Sequence, residues 1–358
     1  MANTAEPIGA LGRSAERHAP APGRMRDPRY KSLAWLSDLA GNLVLTAVLG
    51  LIAITNRLTM RRPGTRPDGD PLSAANAVQD DASMCQPPDT IMLIHGLWLT
   101  PRGWEHWIPH YRQAGYQVLA PAYPGLEVEV EELRSDPSPI GRLTIDETVD
   151  HYESLIRTLP SPPILIGHSF GATVVQLMLD RGLGAVGVAI NSVPVKGVRV
   201  TPLPQVKAAL PVIGHVSNRR TAIPVTFEQF RYAFVNACTE DESRAAYERY
   251  HVPAPGRIVW DGVLANFSAH PAPEANLAAK AGKAPLLFIA SAQDRLMSPS
   301  VNHSNYQHYA GRSRAIVAYR EFPGRSHFTL VEPGWQKVAD FALDWARRPT
   351  AFDRNTHA

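Results

Sequence analysis

Between the apolar run Ile164-Leu165-Ile166 and the helical pattern of Ala172–Asp180, the sequence reads Gly167-His168-Ser169-Phe170-Gly171. A serine with glycine two residues before and two after it, leaving a strand and entering a helix, occupies a turn too tight for side chains at the glycine positions. Such a turn lifts the hydroxyl above the end of a sheet. The helix that begins beside it directs backbone N–H groups at any oxyanion formed there. A Gly-x-Ser-x-Gly string alone is weak evidence, but in this context it predicts that Ser169 is a nucleophile and Phe170 N–H an oxyanion donor.

The surrounding texture supports this. Short apolar runs at Ile91–Ile94, Gln117–Ala120, Ile164–Ile166, Val186–Ile190, Leu286–Ala290 and Ala315–Tyr319 alternate with amphipathic helical patterns, the signature of a parallel sheet covered by helices. Thr144-x-x-Glu147 is a capping box opening a helix whose buried stripe is Ile145, Val149, Tyr152, Ile156 and Leu159. Trp335, Val338, Phe341, Ala342 and Trp345 form a second core stripe. Residues 196–282 break the alternation with a Pro-rich opening and two helical patterns around Phe227–Asn236 and Glu240–Tyr250, the second opened by the capping box Thr239-x-x-Glu242. An insertion of this length between two strands reads as a helical cap over a site. A plain structural excursion is the alternative.

A second chemical element precedes the serine. Ile91–Ile94 runs into His95-Gly96-Leu97-Trp98, where glycine lets the backbone approach a reacting carbonyl, so that Leu97 N–H pairs with Phe170 N–H as the second oxyanion donor. His95 is expected to hold this loop rather than to carry protons. Two partners for the serine should follow on loops after late strands, first an acid and then a histidine. Leu286–Ala290 leads to Asp294, and Ala315–Tyr319 leads through Phe322-Pro323-Gly324-Arg325-Ser326 to His327. In this reading His327 is the general base and acid, and Asp294 fixes its tautomer. Asp241 and Asp261 compete for the acid's role, but neither follows a strand of the sheet.

With these residues in place, the chain resembles an α/β-hydrolase-fold protein with a helical cap, similar to bacterial serine esterases and lipases, over about Thr90 to Ala346. The resemblance implies a triad of Ser169, Asp294 and His327, an oxyanion hole from Leu97 and Phe170, and no metal or organic cofactor. Many members place a β-hairpin before the strand that leads to the His-Gly turn. Only linker precedes Ile91 here, so the sheet resembles the shorter version of about six mostly parallel strands. The expected reaction is hydrolysis of a carboxylic ester through an acyl-enzyme. The same constellation serves amidases, C–C hydrolases and cofactor-free haloperoxidases, and a binding protein with a vestigial triad stands as the non-enzymatic alternative. The cap aromatics Phe227, Phe230, Phe234, Trp260 and Phe267 point to an apolar substrate. Trp98, Phe227, Phe230 and Trp260 are the residues expected to bind it.

Charge and the N-terminus define the remaining organisation. The formal charge of +3 belongs to residues 1–66, which hold ten Lys/Arg against four Asp/Glu, while the rest carries 26 against 29. No basic stripe marks the body for nucleic acid. Residues 1–32 read as a disordered basic tail, and residues 59–89 as a Pro- and Gly-rich linker. Between them, residues 33–58 contain the uncharged stretch Leu39–Thr55, preceded by Trp35. Its seventeen residues sit at the lower limit for crossing a bilayer, and an apolar helix anchoring the chain to a membrane is the expectation. Flanking basic residues balance, so orientation stays open, and the alternatives are a buried or partner-packed helix, or a leader kept only because the start codon was placed upstream of Met25. The domains expected are therefore tail, anchor helix and linker, then a hydrolase core of residues 90–195 and 283–350 interrupted by the cap.

Cys85 and Cys238 form no framework or metal motif. Gly182-x-Gly-x-x-Gly187 lies after a helix and before a strand, the reverse of a dinucleotide fingerprint. His106 and His110 are spaced as in a zinc helix, but Trp107 stands where that motif requires Glu.

Overall fold

A computed structural model describes residues 88–195, 198, 203–205, 207, 208, 216–264, 284–311, 313 and 315–351. The expected tail, the apolar stretch 39–55, Phe267 and nearly all of the linker lie outside these residues. No helix among the described residues is long and apolar enough to cross a membrane.

The main sheet has six strands, β1 (Thr90–Ile94), β2 (Gln117–Leu119), β3 (Ile164–His168), β4 (Val186–Ile190), β7 (Leu286–Ser291) and β8 (Val317–Phe322), in the order β2-β1-β3-β4-β7-β8. Every neighbouring pair is parallel. Strands β1, β3, β4 and β7 are buried along their whole length, as expected of uninterrupted aliphatic runs covered on both faces. The last strand starts and ends later than its apolar run suggests. Arg320 and Glu321 break the apolar pattern, but they pair with Ile289 and Ala290 of β7, and an edge strand tolerates polar side chains on its open side.

Helices α1 (Trp107–Gln113), α2 (Val130–Ser135), α3 (Ile145–Arg157) and α4 (Phe170–Asp180) precede the insertion, and α8 (Pro299–Ala310) and α9 (Gln336–Arg347) follow it. The Thr144–Glu147 capping box is formed at the start of α3. Helix α4 is the central one, buried on almost every side from Ala172 to Leu179. In the C-terminal helix, Val338, Ala342 and Trp345 are buried and Trp335 and Phe341 half-buried. Trp107 Nε1 donates to Leu330 O at 2.9 Å and Tyr111 Oη to Ala339 O at 2.9 Å, which fixes α1 against the segment after β8. The Gly182–Gly187 string is the turn from α4 into β4, with Gly182 at φ +73°.

Between β4 and β7 the described residues form an antiparallel pair, β5 (Ala222–Ile223) with β6 (Ala254–Pro255), and helices α5 (Phe227–Ala233), α6 (Glu240–Tyr250) and α7 (Gly256–Leu264). Capping boxes open α5 at Thr226–Gln229 and α6 at Thr239–Glu242. Bonds to the sheet side fasten this insertion. Arg134 donates to the carbonyls of Tyr247, Glu248 and His251 at the C-terminal end of α6, Trp98 Nε1 donates to Ile223 O at 2.9 Å, and Arg249 pairs with Glu105.

The order of the strands sets the place of the site. From β1 the chain moves outward to β2, then crosses to β3 on the other side of β1. The loops leaving β1 and β3 therefore diverge, and the crevice between their carboxyl ends is where ligands bind in open parallel sheets.

Candidate active site

Both loops of that crevice carry the residues singled out in the sequence. Ser169 follows β3 with φ +56° and ψ −120°, a left-handed conformation that a non-glycine residue adopts only when its surroundings enforce it. They do so here by close approach. A side chain at Gly167 would collide with Gly171 O, and one at Gly171 with Ile94 O. A Cβ on Gly96 would stand 2.8 Å from Ser169 Cβ and 3.1 Å from His168 Nδ1, so the His-Gly turn presses directly on the serine turn. Phe170 opens α4, where no helical carbonyl exists for its N–H. Leu97 and Phe170 are both buried, and neither N–H meets a protein acceptor among the described residues.

Asp294 and His327 are brought together from positions 33 residues apart. His327 Nδ1 donates to Asp294 Oδ2 at 2.7 Å, and both side chains are wholly buried. Asp294 Oδ1 accepts the N–H groups of Leu296 at 2.8 Å and Met297 at 2.7 Å, so the carboxylate is fixed by three donors. The other ring nitrogen, His327 Nε2, is buried and has no hydrogen-bond partner among the described residues, Ser169 Oγ included. This link of the expected triad is not closed in the structure, and such catalytic hydrogen bonds commonly tighten only when substrate binds. The imidazole nevertheless stands beside the serine turn. The ring of His168, the residue before Ser169, lies 4.8 Å from that of His327.

The competing acids are placed elsewhere. Asp261 pairs with Arg219 at 3.0 Å and Arg257 at 2.7 Å on the cap, and Asp241 is exposed in the first turn of α6. His95 holds its loop as expected, donating from Nδ1 to Gly96 O at 2.9 Å and accepting Tyr123 N–H on Nε2 at 3.4 Å. His106 stacks on Trp335, and His110 pairs with Asp340 at 2.6 Å.

The expected substrate-binding aromatics divide. Trp98 adjoins Leu97, with φ +61°, its ring edge-on to Phe234. Phe227 is half-buried under Arg244 and edge-on to Tyr247, and Phe230 is enclosed by Phe234, Tyr247, His251 and Phe328. These contacts pack Phe227 and Phe230 against neighbours within the insertion and, for Phe230, against Phe328. Trp260 is buried on α7. Among the described residues of the insertion, Phe234 meets the site edge-on to His327 at 5.3 Å, and its carbonyl accepts Phe328 N–H at 2.8 Å and Ser326 Oγ–H at 2.9 Å. The sequence signalled its aromatic character but not its direction. Tyr123, whose hydroxyl donates to His95 O, and Asn191, described below, carried no sequence signal.

Among the described residues, burial favours the neutral form of three imidazoles outside the Asp294–His327 pair. Burial lowers His95 to about 4, burial and the Arg134 cation lower His251 to about 4, and burial followed by the neighbouring His327 lowers His168 well below its ordinary value. Each folded pKa lies below the unfolded value of about 6.5, so the unfolded chain binds more protons between the two. The stability that His95 and His251 contribute is complete above about pH 6.5 and is lost as pH falls toward 4, and His168 adds to the loss in the same direction. Urea unfolding at pH 7.5, 6.0 and 5.0 is expected to show a midpoint that falls steeply below pH 6.5. A midpoint flat down to pH 5 would contradict the neutral assignment.

A six-stranded parallel sheet, a serine turn after its third strand and a buried Asp–His pair after its last two strands define the class. The sequence profile of the alpha/beta hydrolase family matches residues 91–341, and the chain belongs to that family. No curated protein matches it. Among solved structures it is similar to a monoacylglycerol lipase of Paleococcus ferrophilus, with TM-score 0.52 and 20% identity over 73% of this chain and 95% of that one. It is likewise similar to a pyrethroid hydrolase from Sphingobium faniae JZ-2, with TM-score 0.52 and 17% identity over 74% and 99% of the two chains. An extracellular alpha/beta-hydrolase from a Paenibacillus species gives TM-score 0.54 and 19% identity over 72% and 98%.

Proposed function

We propose that the protein is a serine hydrolase that cleaves a carboxylic ester of an apolar small molecule or lipid through an acyl-enzyme on Ser169. One observation carries this reading: the buried 2.7 Å bond from His327 Nδ1 to Asp294 leaves Nε2 without a hydrogen-bond partner among the described residues, beside the strained serine turn. Asp294 keeps the imidazole proton on Nδ1, so Nε2 is the base. Ser169 Oγ attacks the ester carbonyl carbon as its proton passes to Nε2, and the developing oxyanion meets Leu97 N–H and Phe170 N–H. Collapse expels the alcohol, which takes the proton from His327. Water then repeats the sequence on the acyl-enzyme, releasing the acid and restoring Ser169. Trp98 and Phe234 flank this centre and favour an apolar group.

A panel of chromogenic esters and matched anilides of graded acyl length tests the reading, with a monoacylglycerol and a pyrethroid as substrates suggested by the similar structures. Ester turnover well above anilide turnover is expected. Preferential cleavage of anilides would assign the same triad to amides, and absence of turnover together with absence of organophosphonate labelling would make the protein a binder.

Residues 39–55 are proposed as a membrane anchor on their length and lack of charge alone. Deleting residues 1–60 is then expected to move the protein from the membrane pellet to the soluble fraction, with kcat/KM on a soluble short-chain ester nearly unchanged. Full-length protein already soluble without detergent, or a truncated protein that aggregates, would contradict the anchor.

A further inference from the structure

The loop that carries His327 is gripped at its backbone. His327 O accepts one hydrogen bond from His168 Nε2–H at 2.8 Å and another from Asn191 Nδ2–H at 2.8 Å, which occupies both lone pairs of the carbonyl. His168 and Asn191 are themselves fully buried. Asn191 follows β4 at φ +49°, a conformation asparagine tolerates better than most residues, and its own N–H donates to Ile289 O of β7 at 2.8 Å. Its amide reaches further. Oδ1 accepts Ser291 N–H at 2.8 Å, and Nδ2 lies 2.9 Å from Ser291 Oγ. Ser291 ends β7, three residues before Asp294. A single side chain therefore bonds the loop of the acid and the loop of the base, while His168 bonds the base's loop to the serine turn.

We infer that Asn191 and His168 are positioning residues, which clamp the His327 carbonyl and so set the separation of the imidazole from Asp294 on one side and Ser169 on the other. The inference rests on the serine-hydrolase reading for its kinetic consequence but not for its geometry. The ring of His168 supports it. With the proton on Nε2 for the clamp, Nδ1 is bare, buried and without a partner among the described residues, a cost that a merely space-filling residue at this position would not incur. A neutral imidazole donates here only as the Nε2–H tautomer, and burial favours the neutral form. At Asn191, no residue lacking both an amide donor and an acceptor serves both loops.

Three variants test this. Asn191→Gly removes the amide at a backbone conformation that glycine accepts. Asn191→Asp keeps the acceptor for Ser291 N–H but replaces the donor with an oxygen facing the His327 carbonyl. His168→Phe keeps a ring and deletes the donor. In folded variants, checked by circular dichroism, kcat on a short-chain ester is expected to fall on the order of 10- to 100-fold with KM nearly constant, since small displacements of reacting groups cost that much. The downfield proton resonance of His327 Nδ1–H, identified by its loss in His327→Ala, is expected to shift or broaden in each. Unchanged kcat and an unmoved resonance would overturn the clamp. The resonance is read without substrate, so it decides the clamp even if the wild-type protein turns over no ester, an outcome that would sink the serine-hydrolase reading alone. Should Asn191→Gly fail to fold, the same two readings on Asn191→Asp and His168→Phe decide.

Discussion

Ser169→Ala is expected to lower ester turnover by a factor on the order of 10⁴ or more, while the protein folds as before. The size follows from the chemistry. In the proposed reaction Ser169 Oγ is the atom that becomes joined to the acyl group, and without it the remaining groups would offer only binding and an oxyanion hole to an attacking water. The innocence toward folding follows from the local structure. Alanine keeps the Cβ that already stands at φ +56° and 2.8 Å from a Cβ built on Gly96, so the strain of the turn is unchanged and only an oxygen is lost. Steady-state kinetics with thermal unfolding as control reads both halves. More than a few per cent of wild-type kcat in clean protein would remove Ser169 from its role.

Asp294→Asn is expected to reduce kcat by about 10⁴, with little change in KM, as in the general behaviour of such triads. The bonding of the carboxylate shows why. Oδ1 is held by the N–H groups of Leu296 and Met297, so the carbonyl oxygen of an asparagine takes that place and its NH2 faces His327. Nδ1 must then accept rather than donate, which puts the ring proton on Nε2, toward Ser169, where a base is needed. Asp261→Asn breaks only surface pairs with Arg219 and Arg257 and is expected to leave kcat near wild type. The reverse pattern, a mild Asp294→Asn and a damaging Asp261→Asn, would relocate the acid.

The parts of this site that were legible in the sequence are those encoded locally. The serine turn is written in five consecutive residues and two flanking patterns. Asp294 and His327 announce themselves by following apolar runs, and the sheet's order carries them to one edge. The capping boxes of α3 and α6 are spelled by residues three apart. What was not legible depends on distant parts of the chain meeting. Asn191 and His327 are 136 positions apart, and nothing near Asn191 marks its amide as a bridge. Helical spacing shows that Phe230 and Phe234 share a face of the cap, but only the docking of that face reveals that Phe234 meets His327 while Phe230 packs inward. The end of β8 depends on distant pairing in the same way: Arg320 and Glu321 belong to the strand because β7 pairs with them, against the polarity of their own side chains.

The central claim is that Ser169 is a nucleophile activated by His327. Treating the protein with an organophosphonate probe and mapping the adduct by peptide mass tests it most directly. A single adduct on the peptide containing Ser169, absent in Ser169→Ala and strongly slowed in His327→Ala, is the predicted result. Labelling that persists in Ser169→Ala, or that falls on another residue, would contradict it.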